Sequence, residues 1–196
     1  MILRPLIARL YWAGSRYSMR SDPKTVESPA VLIGAPHTSN WDFVIMLAIT
    51  WRLGFAPLWL GKHTLFKRPF GGFMRALGGI PVNRENPGRL VEQIVARVKE
   101  GQRFFLVVTP EGTRHRGKVW KSGFYRIALD ANLPVVLGFV DSTTHTAGLG
   151  PTIHLTGDVN ADMDRIREFY ADKRGIHPED FTPPRLREER AEPETE

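Results

Sequence analysis

Ala30-Val31-Leu32-Ile33-Gly34-Ala35-Pro36-His37-Thr38-Ser39-Asn40-Trp41-Asp42 is the stretch on which the reading of the whole chain turns. Residues 30–35, small or apolar and closed by a proline, have the length and composition of a buried β-strand. The run from Trp41 to Leu53 then spaces its apolar residues as a helix does. Strand, polar loop and helix in succession form the opening unit of an α/β domain built around a central sheet. The loop between them carries a histidine and a carboxylate.

Working outward toward the C-terminus, the same rhythm continues. Pro57 to Gly61 reads as a second strand. Leu65 to Leu77 places Phe66, Phe70, Phe73, Met74 and Leu77 at helical spacing, but Pro69 and the Gly71-Gly72 pair should bend or interrupt it. Ile80 to Asn83 is a short strand. Gly88 to Glu100 is a helix with a stripe of Leu90, Ile94, Val95 and Val98, ended by Gly101. Phe104 to Val108 is a continuous apolar run that suits a central strand, and a polar loop from Thr109 to Lys121 follows it. Ser122 to Ala131 reads as a helix, Pro134 to Val140 as a buried strand, and Ile153 to Thr156 as a last strand. A closing helix over Ala161 to Arg174 has Asn160 as its cap.

Toward the N-terminus, residues 2–20 place Leu3, Leu6, Ile7, Leu10 and Tyr17 on one helical face, with Arg9, Arg16 and Arg20 opposite. Such a basic amphipathic helix either lies in a membrane interface or packs on its own domain. At the other end, residues 183–196 are almost all Pro, Arg, Glu and Thr, with Leu186 and Ala191 as the only apolar side chains. That is too little to offset ordering entropy, so a charged flexible tail is expected there. The domain proper is expected over residues 21–182.

Composition narrows the functional classes. The 196 residues fit one domain, and 42% hydrophobic with 24% charged residues is a globular composition. A net charge of +6 points to an anionic partner, whether a phospholipid surface, a phosphorylated substrate or nucleic acid. The lysines and arginines are spread, and no nucleic-acid reading motif is present, so nucleic acid is not expected. The absence of cysteine excludes disulfides, thiolate metal sites and a cysteine acyl-enzyme. No apolar run reaches 18 residues, and the N-terminus has no small-residue cleavage site, so a cytoplasmic location is expected. His63, His115, His145, His154 and His177 show no metal-ligand spacing, and no metal is expected.

Three segments carry chemistry. Five positions apart on a helix, His37 and Asp42 would diverge by about 140°. They meet only if His37 stays in the loop and Asp42 occupies the first helical turn. The carboxylate then fixes the tautomer of the imidazole, leaving a base with no protein nucleophile beside it. Such a base suits direct attack by a substrate hydroxyl. A purely structural alternative exists, because Ser39-x-x-Asp42 also fits an acidic capping box. The second segment, Pro110-Glu111-Gly112-Thr113-Arg114, follows the most apolar strand, where ligands usually bind in an open α/β sheet. There Glu111 can accept hydrogen bonds from hydroxyl groups, Gly112 permits close approach and Arg114 can pair with a phosphate, although Pro-Glu-Gly-Thr is also a good turn sequence. The third, Gly78-Gly79-Ile80-Pro81-Val82-Asn83-Arg84, delivers an arginine to a strand end, where it can grip a phosphate or simply be solvated. Lys62 and Lys67, near the second strand, are placed to meet a phosphate-bearing ligand, or are ordinary surface lysines. Gly61-Lys62 is not a phosphate loop: the preceding glycine is six residues back, and His63 stands where Ser or Thr is needed.

Taken together, His37 and Asp42, the Gly78 to Arg84 strand and Pro110 to Arg114 make the chain similar to the glycerolipid acyltransferases, whose type member is 1-acyl-glycerol-3-phosphate acyltransferase. The resemblance runs from Val31 to Val140, and Leu133-Pro134-Val135-Val136 is similar to the family's fourth block. Pro36, Thr109 and Leu137 depart from the family pattern. The resemblance implies a single α/β domain with a central mixed sheet flanked by helices and preceded by the N-terminal helix. It implies that His37 takes the proton of an acceptor hydroxyl, Asp42 orients it, and the oxygen attacks the thioester of acyl-CoA or an acyl carrier protein as co-substrate, with no resident cofactor. Arg84 is implied to hold the phosphate of an anionic lipid acceptor, and Glu111 and Gly112 its glycerol portion, with Thr113, Arg114 and Lys62 nearby. A peripheral position on the inner face of the cytoplasmic membrane fits these partners. The alternatives are a non-catalytic lipid-binding protein of the same fold and an acyl thioesterase.

Overall fold

The computed structural model describes residues 3–21, 27–82 and 87–189, with the side chains of 82–89 outside that description. Its helices are α1 (Leu3–Gly14), α2 (Trp41–Arg52), α3 (Gly71–Ala76), α4 (Pro87–Lys99), α5 (Gly123–Asp130) and α6 (Val159–Tyr170). Its strands are β1 (Ser18–Arg20), β2 (Ala30–Ala35), β3 (Pro57–Lys62), β4 (Gly79–Val82), β5 (Phe105–Val108), β6 (Val135–Asp141) and β7 (Thr146–Ile153). The strands form one mixed sheet in the order β1-β7-β6-β2-β5-β3-β4, in which only the β6–β7 pair is antiparallel. The α/β architecture with a central mixed sheet agrees with the expectation from sequence.

Strand alternation splits the core into two. Val31, Ile33, Leu106, Val135 and Leu137 point to one face, where they pack with Phe124 and Ile127 of α5 and Met163, Ile166 and Tyr170 of α6. Leu32, Phe105, Val107 and Val136 point to the other face, where they meet Ile45 and Ile49 of α2. The topology explains which helix lies where. From β2 the chain crosses through α2 to β3 on one side, whereas α4 and α5 carry it back in the opposite direction to β5 and β6. Right-handed crossovers running in opposite directions must use opposite faces of the sheet. The reversal occurs at β2, so the crevice at the C-terminal end of β2 is where a ligand site is expected.

Several local expectations need correction. The N-terminal helix does not reach residue 20. It stops at Gly14, Ser15 Oγ accepts the Tyr17 amide, and residues 18–20 join the sheet edge as β1, parallel to β7. The last strand is β7, starting at Thr146, rather than Ile153 to Thr156. Gly148 and Gly150 in this strand serve close packing. A Cβ on Gly148 would lie 2.0 Å from the Arg20 carbonyl oxygen of β1, and one on Gly150 would lie 2.3 Å from the Phe169 ring. The Leu65 to Leu77 helix is interrupted as its Pro and Gly content required, into a 3-10 turn at His63–Phe66 and the short α3. Helix α6 begins at Val159 and is capped by Asp158, whose side chain accepts the Asn160 and Ala161 amides, instead of by Asn160.

The expected flexible tail from residue 183 is also corrected for residues 183–189. Leu186 is only 1% exposed and sits in the α5/α6 core. Its amide donates to Glu189, Glu189 pairs with Arg167, and the Arg185 carbonyl accepts the Trp120 amide at 2.7 Å. One well-placed leucine and a set of long-range hydrogen bonds hold a segment whose composition alone suggested disorder. Residues 190–196 lie outside the described residues.

Candidate active site

At the C-terminal end of β2 the chain leaves the sheet at Pro36, and His37 stays in the loop before α2. Asp42, the second residue of α2, reaches back one turn. Its Oδ2 accepts the amides of Thr38 and Ser39, each at 2.8 Å, and lies 3.1 Å from His37 Nδ1. One carboxylate oxygen therefore meets both the loop amides and the imidazole. Loop amides fix the position of Asp42, and Asp42 in turn fixes the ring of His37. A carboxylate at Nδ1 makes that nitrogen the N–H donor and leaves Nε2 as the basic, acceptor nitrogen. The imidazole is 18% exposed and faces a cavity of about 1510 Å³.

Glu111 is the surprise. It stands just beyond β5, the strand beside β2, and is only 5% exposed. Its Oε1 accepts the backbone amide of His37 at 3.0 Å. Burial pushes its carboxyl up to about 7, partly offset by that amide, its own backbone amide and the nearby imidazole, while Asp42 raises it further. Among the described residues, Glu111 Oε2 and Asp42 Oδ1 are buried polar atoms without a hydrogen-bond partner. The resemblance implies a contact of Glu111 with the acceptor; in the structure its side chain also lies behind the histidine backbone.

The remaining predicted residues are distributed around the cavity. Gly112 takes a positive φ of 65°, closing a turn in which its amide donates to Thr109, and a Cβ there would come 2.6 Å from Lys121 Nζ. Thr113 is exposed, and its Oγ1 accepts the His115 amide. Arg114 is exposed and lines both the main cavity and an adjoining pocket of about 230 Å³ beside Thr38, Ser39 and Asn40. Lys62 lines the main cavity from the end of β3. Lys67 is exposed. Arg84 lies outside the described residues. No group of three His, Asp or Glu among the described residues is arranged to hold a metal ion.

Sequence reasoning missed two contributors. Lys121 was read only as the end of a polar loop, although its amide donates to the Pro110 carbonyl and its ammonium lies against Gly112. The strap over residues 177–189 was missed as well. The His177 amide donates to Thr38 Oγ1, the Gly117 amide to Thr182 Oγ1 at 2.8 Å, and the Trp120 indole to the Thr182 carbonyl at 3.1 Å. The strap thus touches the loops that follow both β2 and β5. No local spacing announces such contacts, because each spans more than 60 residues.

Comparison with known families decides the matter: the Acyltransferase family matches residues 16–137, more than half of the chain. The chain belongs to this family. It is 30% identical over 137 residues to a 1-acyl-sn-glycerol-3-phosphate acyltransferase of Streptococcus pneumoniae, covering 68% of this chain and 51% of that protein. It is 32% identical over 112 residues to a 1-acyl-sn-glycerol-3-phosphate acyltransferase of Cocos nucifera, covering 54% of this chain and 36% of that one. The chain therefore spans about half or less of the length of these relatives. Among solved structures, the 1-acyl-sn-glycerophosphate acyltransferase PlsC of Thermotoga maritima superposes with a TM-score of 0.60 at 14% identity, covering 87% of this chain and 76% of that one. That likeness establishes a shared fold.

Proposed function

We propose that this acyltransferase-family protein moves a fatty acyl group from a thioester donor, acyl-CoA or an acyl carrier protein, to the hydroxyl of a glycerophospholipid-type acceptor such as lysophosphatidate. The observation that carries this reading is the His37–Asp42 contact at the wall of a cavity large enough for lipid chains. His37 Nε2 takes the proton of the acceptor hydroxyl as its oxygen attacks the thioester carbonyl, and the Asp42 carboxylate stabilises the imidazolium that forms. The tetrahedral intermediate collapses by breaking the carbon–sulfur bond. The departing thiolate receives the proton from His37, so the base is regenerated and the products are an ester and a thiol. Glu111 has a positioning role in this scheme, holding the backbone of His37, and Arg114 and Lys62 are placed to meet an acceptor phosphate, the role also assigned to Arg84.

Lipid substrates fit the outer surface. Leu3, Leu6, Ile7 and Leu10 of α1 are exposed, as are Leu65, Phe70 and Phe73 around α3, and Arg4 of α1 donates to the Ala76 carbonyl at the end of α3. The apolar face of α1 turns away from its own domain, while Trp12 anchors the opposite side through the Ala48 carbonyl. An amphipathic helix with this orientation supports a peripheral membrane position, on the inner face of the cytoplasmic membrane in our reading. No helix among the described residues is long and apolar enough to cross a membrane.

The test is thiol release from long-chain acyl-CoA and from an acyl carrier protein thioester with a panel of lysolipid acceptors, with the lipid products identified. Esterified lipid is expected. Free fatty acid alone would make the protein a thioesterase, and no release from a folded sample with any acceptor would leave only a lipid-binding role.

A further inference from the structure

The cavity at His37 extends over both faces of the sheet. On the α2 face it is walled by Phe43, Met46, Ile49 and Trp59, and on the other by Leu90 and Val95 of α4 and Ile127 of α5. The transfer proposed above brings two long chains and two phosphate-bearing ends to a single imidazole, and a cavity with an apolar lobe on each face meets that demand. Lys62 stands at the end of β3, two strands from β2. A second set of cations, which the acceptor does not account for, rims the α4/α5 lobe: Lys121 from the loop after β5, Arg126 from α5 and Arg187 from the strap.

This rim has the chemistry of an anion site, and a side chain of the protein stands in it. Glu188 accepts a hydrogen bond from the Ser122 side chain, lies 3.9 Å from Arg126, and is also faced by Arg187. Those contacts hold its carboxyl below the ordinary range, with burial acting in the opposite sense. Lys121 has no ion-pair partner among the described residues, and its ammonium lies against Gly112, beside the loop that carries Glu111. The lobe therefore runs from the catalytic histidine to a rim where a hydroxyl and two guanidinium groups face one carboxylate of the protein, with the Lys121 ammonium on the same cavity wall.

Resting on the acyltransfer reading, we propose that Lys121, Arg126 and Arg187 bind the phosphate of the donor's phosphopantetheine arm, and that Glu188 lies against the two arginines in the place of that phosphate when no donor is bound. Coenzyme A and an acyl carrier protein both present that phosphate next to pantetheine, so the site serves either donor. The acyl end of the arm then reaches His37 along the α4/α5 lobe, and the acceptor comes from the α2 face. The strap becomes part of the donor site, because Arg187 and Glu188 both belong to it.

The test compares an acyl-CoA with the matching S-acyl-N-acetylcysteamine, a thioester without phosphate, in the wild type and in an Arg126→Ala/Arg187→Ala variant. Both arginines are exposed, so the variant is expected to fold. The wild-type preference for the phosphate-bearing donor, read as a ratio of kcat/KM values, is expected to fall by about 10- to 100-fold in the variant. Running the same comparison with an acyl carrier protein thioester tells which donor supplies the phosphate. Calorimetric binding of 4′-phosphopantetheine against pantetheine is measured alongside, because it requires no turnover. The wild type is expected to prefer the phosphorylated form, the variant to lose that preference, and Glu188→Gln to strengthen it by releasing both guanidinium groups. An unchanged donor ratio, or binding indifferent to the phosphate or to Glu188, would overturn the site. Absence of turnover with phosphate-selective binding intact would instead count against the acyltransfer reading.

Discussion

The loop over residues 37–42 and the strap over residues 177–189 both border the cavity, yet they are built by opposite means. The loop satisfies itself: Asp42, five positions from His37, collects the ring nitrogen and two loop amides in a single carboxylate oxygen. The strap satisfies others. Its groups bind Thr38, Gly117 and Trp120, each more than 60 residues away. Short-range geometry creates the chemistry here, and long-range geometry holds it in register with the loop after β5. A substitution in the loop should therefore act on turnover, and one in the strap on the stability and alignment of the whole site.

The largest expected separation between the two regions comes from His37→Ala. The side chain is a loop residue whose only side-chain hydrogen bond among the described residues is to Asp42, so the fold should persist. Loss of a general base costs about 10²- to 10⁴-fold in rate. Turnover with acyl-CoA and lysophosphatidate is expected to fall within that range while the thermal unfolding midpoint stays near that of the wild type. Retention of most activity would remove His37 from the mechanism.

This contrast also separates what is legible in the sequence from what is not. The α/β alternation was legible because β2, β5 and β6 are continuous apolar runs of strand length. The His37–Asp42 pair was legible because helical geometry excludes their contact unless the histidine is in the loop. The contact of Glu111 with the His37 amide was not legible, because only the adjacency of β5 and β2 brings the two together. The start of strand β7 was not legible, because Gly148 and Gly150 serve close approach to β1 and to Phe169, contacts that no local pattern announces. Residues 183–189 of the strap were read as a flexible tail because periodicity cannot register one leucine, Leu186, entering a core assembled from distant helices.

Glu111 joins the two regions, and pH offers a way to isolate it. Its folded-state carboxyl lies at about 7 against an ordinary 4.5, so the folded protein holds this proton more tightly than the unfolded chain does. The stabilisation from that proton is fully present below pH 4.5 and is lost as pH rises toward 7. Two and a half units correspond to about 3 kcal/mol. Glu111→Gln keeps an oxygen for the His37 amide and cannot ionise. The unfolding free energy of the wild type, measured in denaturant from pH 4.5 to 8, is expected to decline by about that much relative to the variant. Parallel curves would show that Glu111 does not titrate in this window, and that its burial is compensated in the native state.

The smallest effect is expected in the strap, at Thr182. Its Oγ1 accepts the Gly117 amide, and its carbonyl accepts the Trp120 indole, so only the first of these contacts depends on the side chain. Thr182→Val preserves shape and leaves the part-buried Gly117 amide without its acceptor, a loss of about 1–2 kcal/mol. For a domain of this size that corresponds to a fall of roughly 2–8 °C in Tm. Thr182→Ser restores the oxygen and should recover most of it. Kinetics then decide whether the strap only supports the fold. If it aligns the 109–121 loop with His37, Thr182→Val lowers kcat measured well below Tm while KM for the acceptor changes little, and Thr182→Ser rescues kcat. If kcat is untouched in a variant whose Tm has fallen, the strap is a stabilising element alone, and the alignment of the two loops is set by the β2–β5 pairing and Glu111.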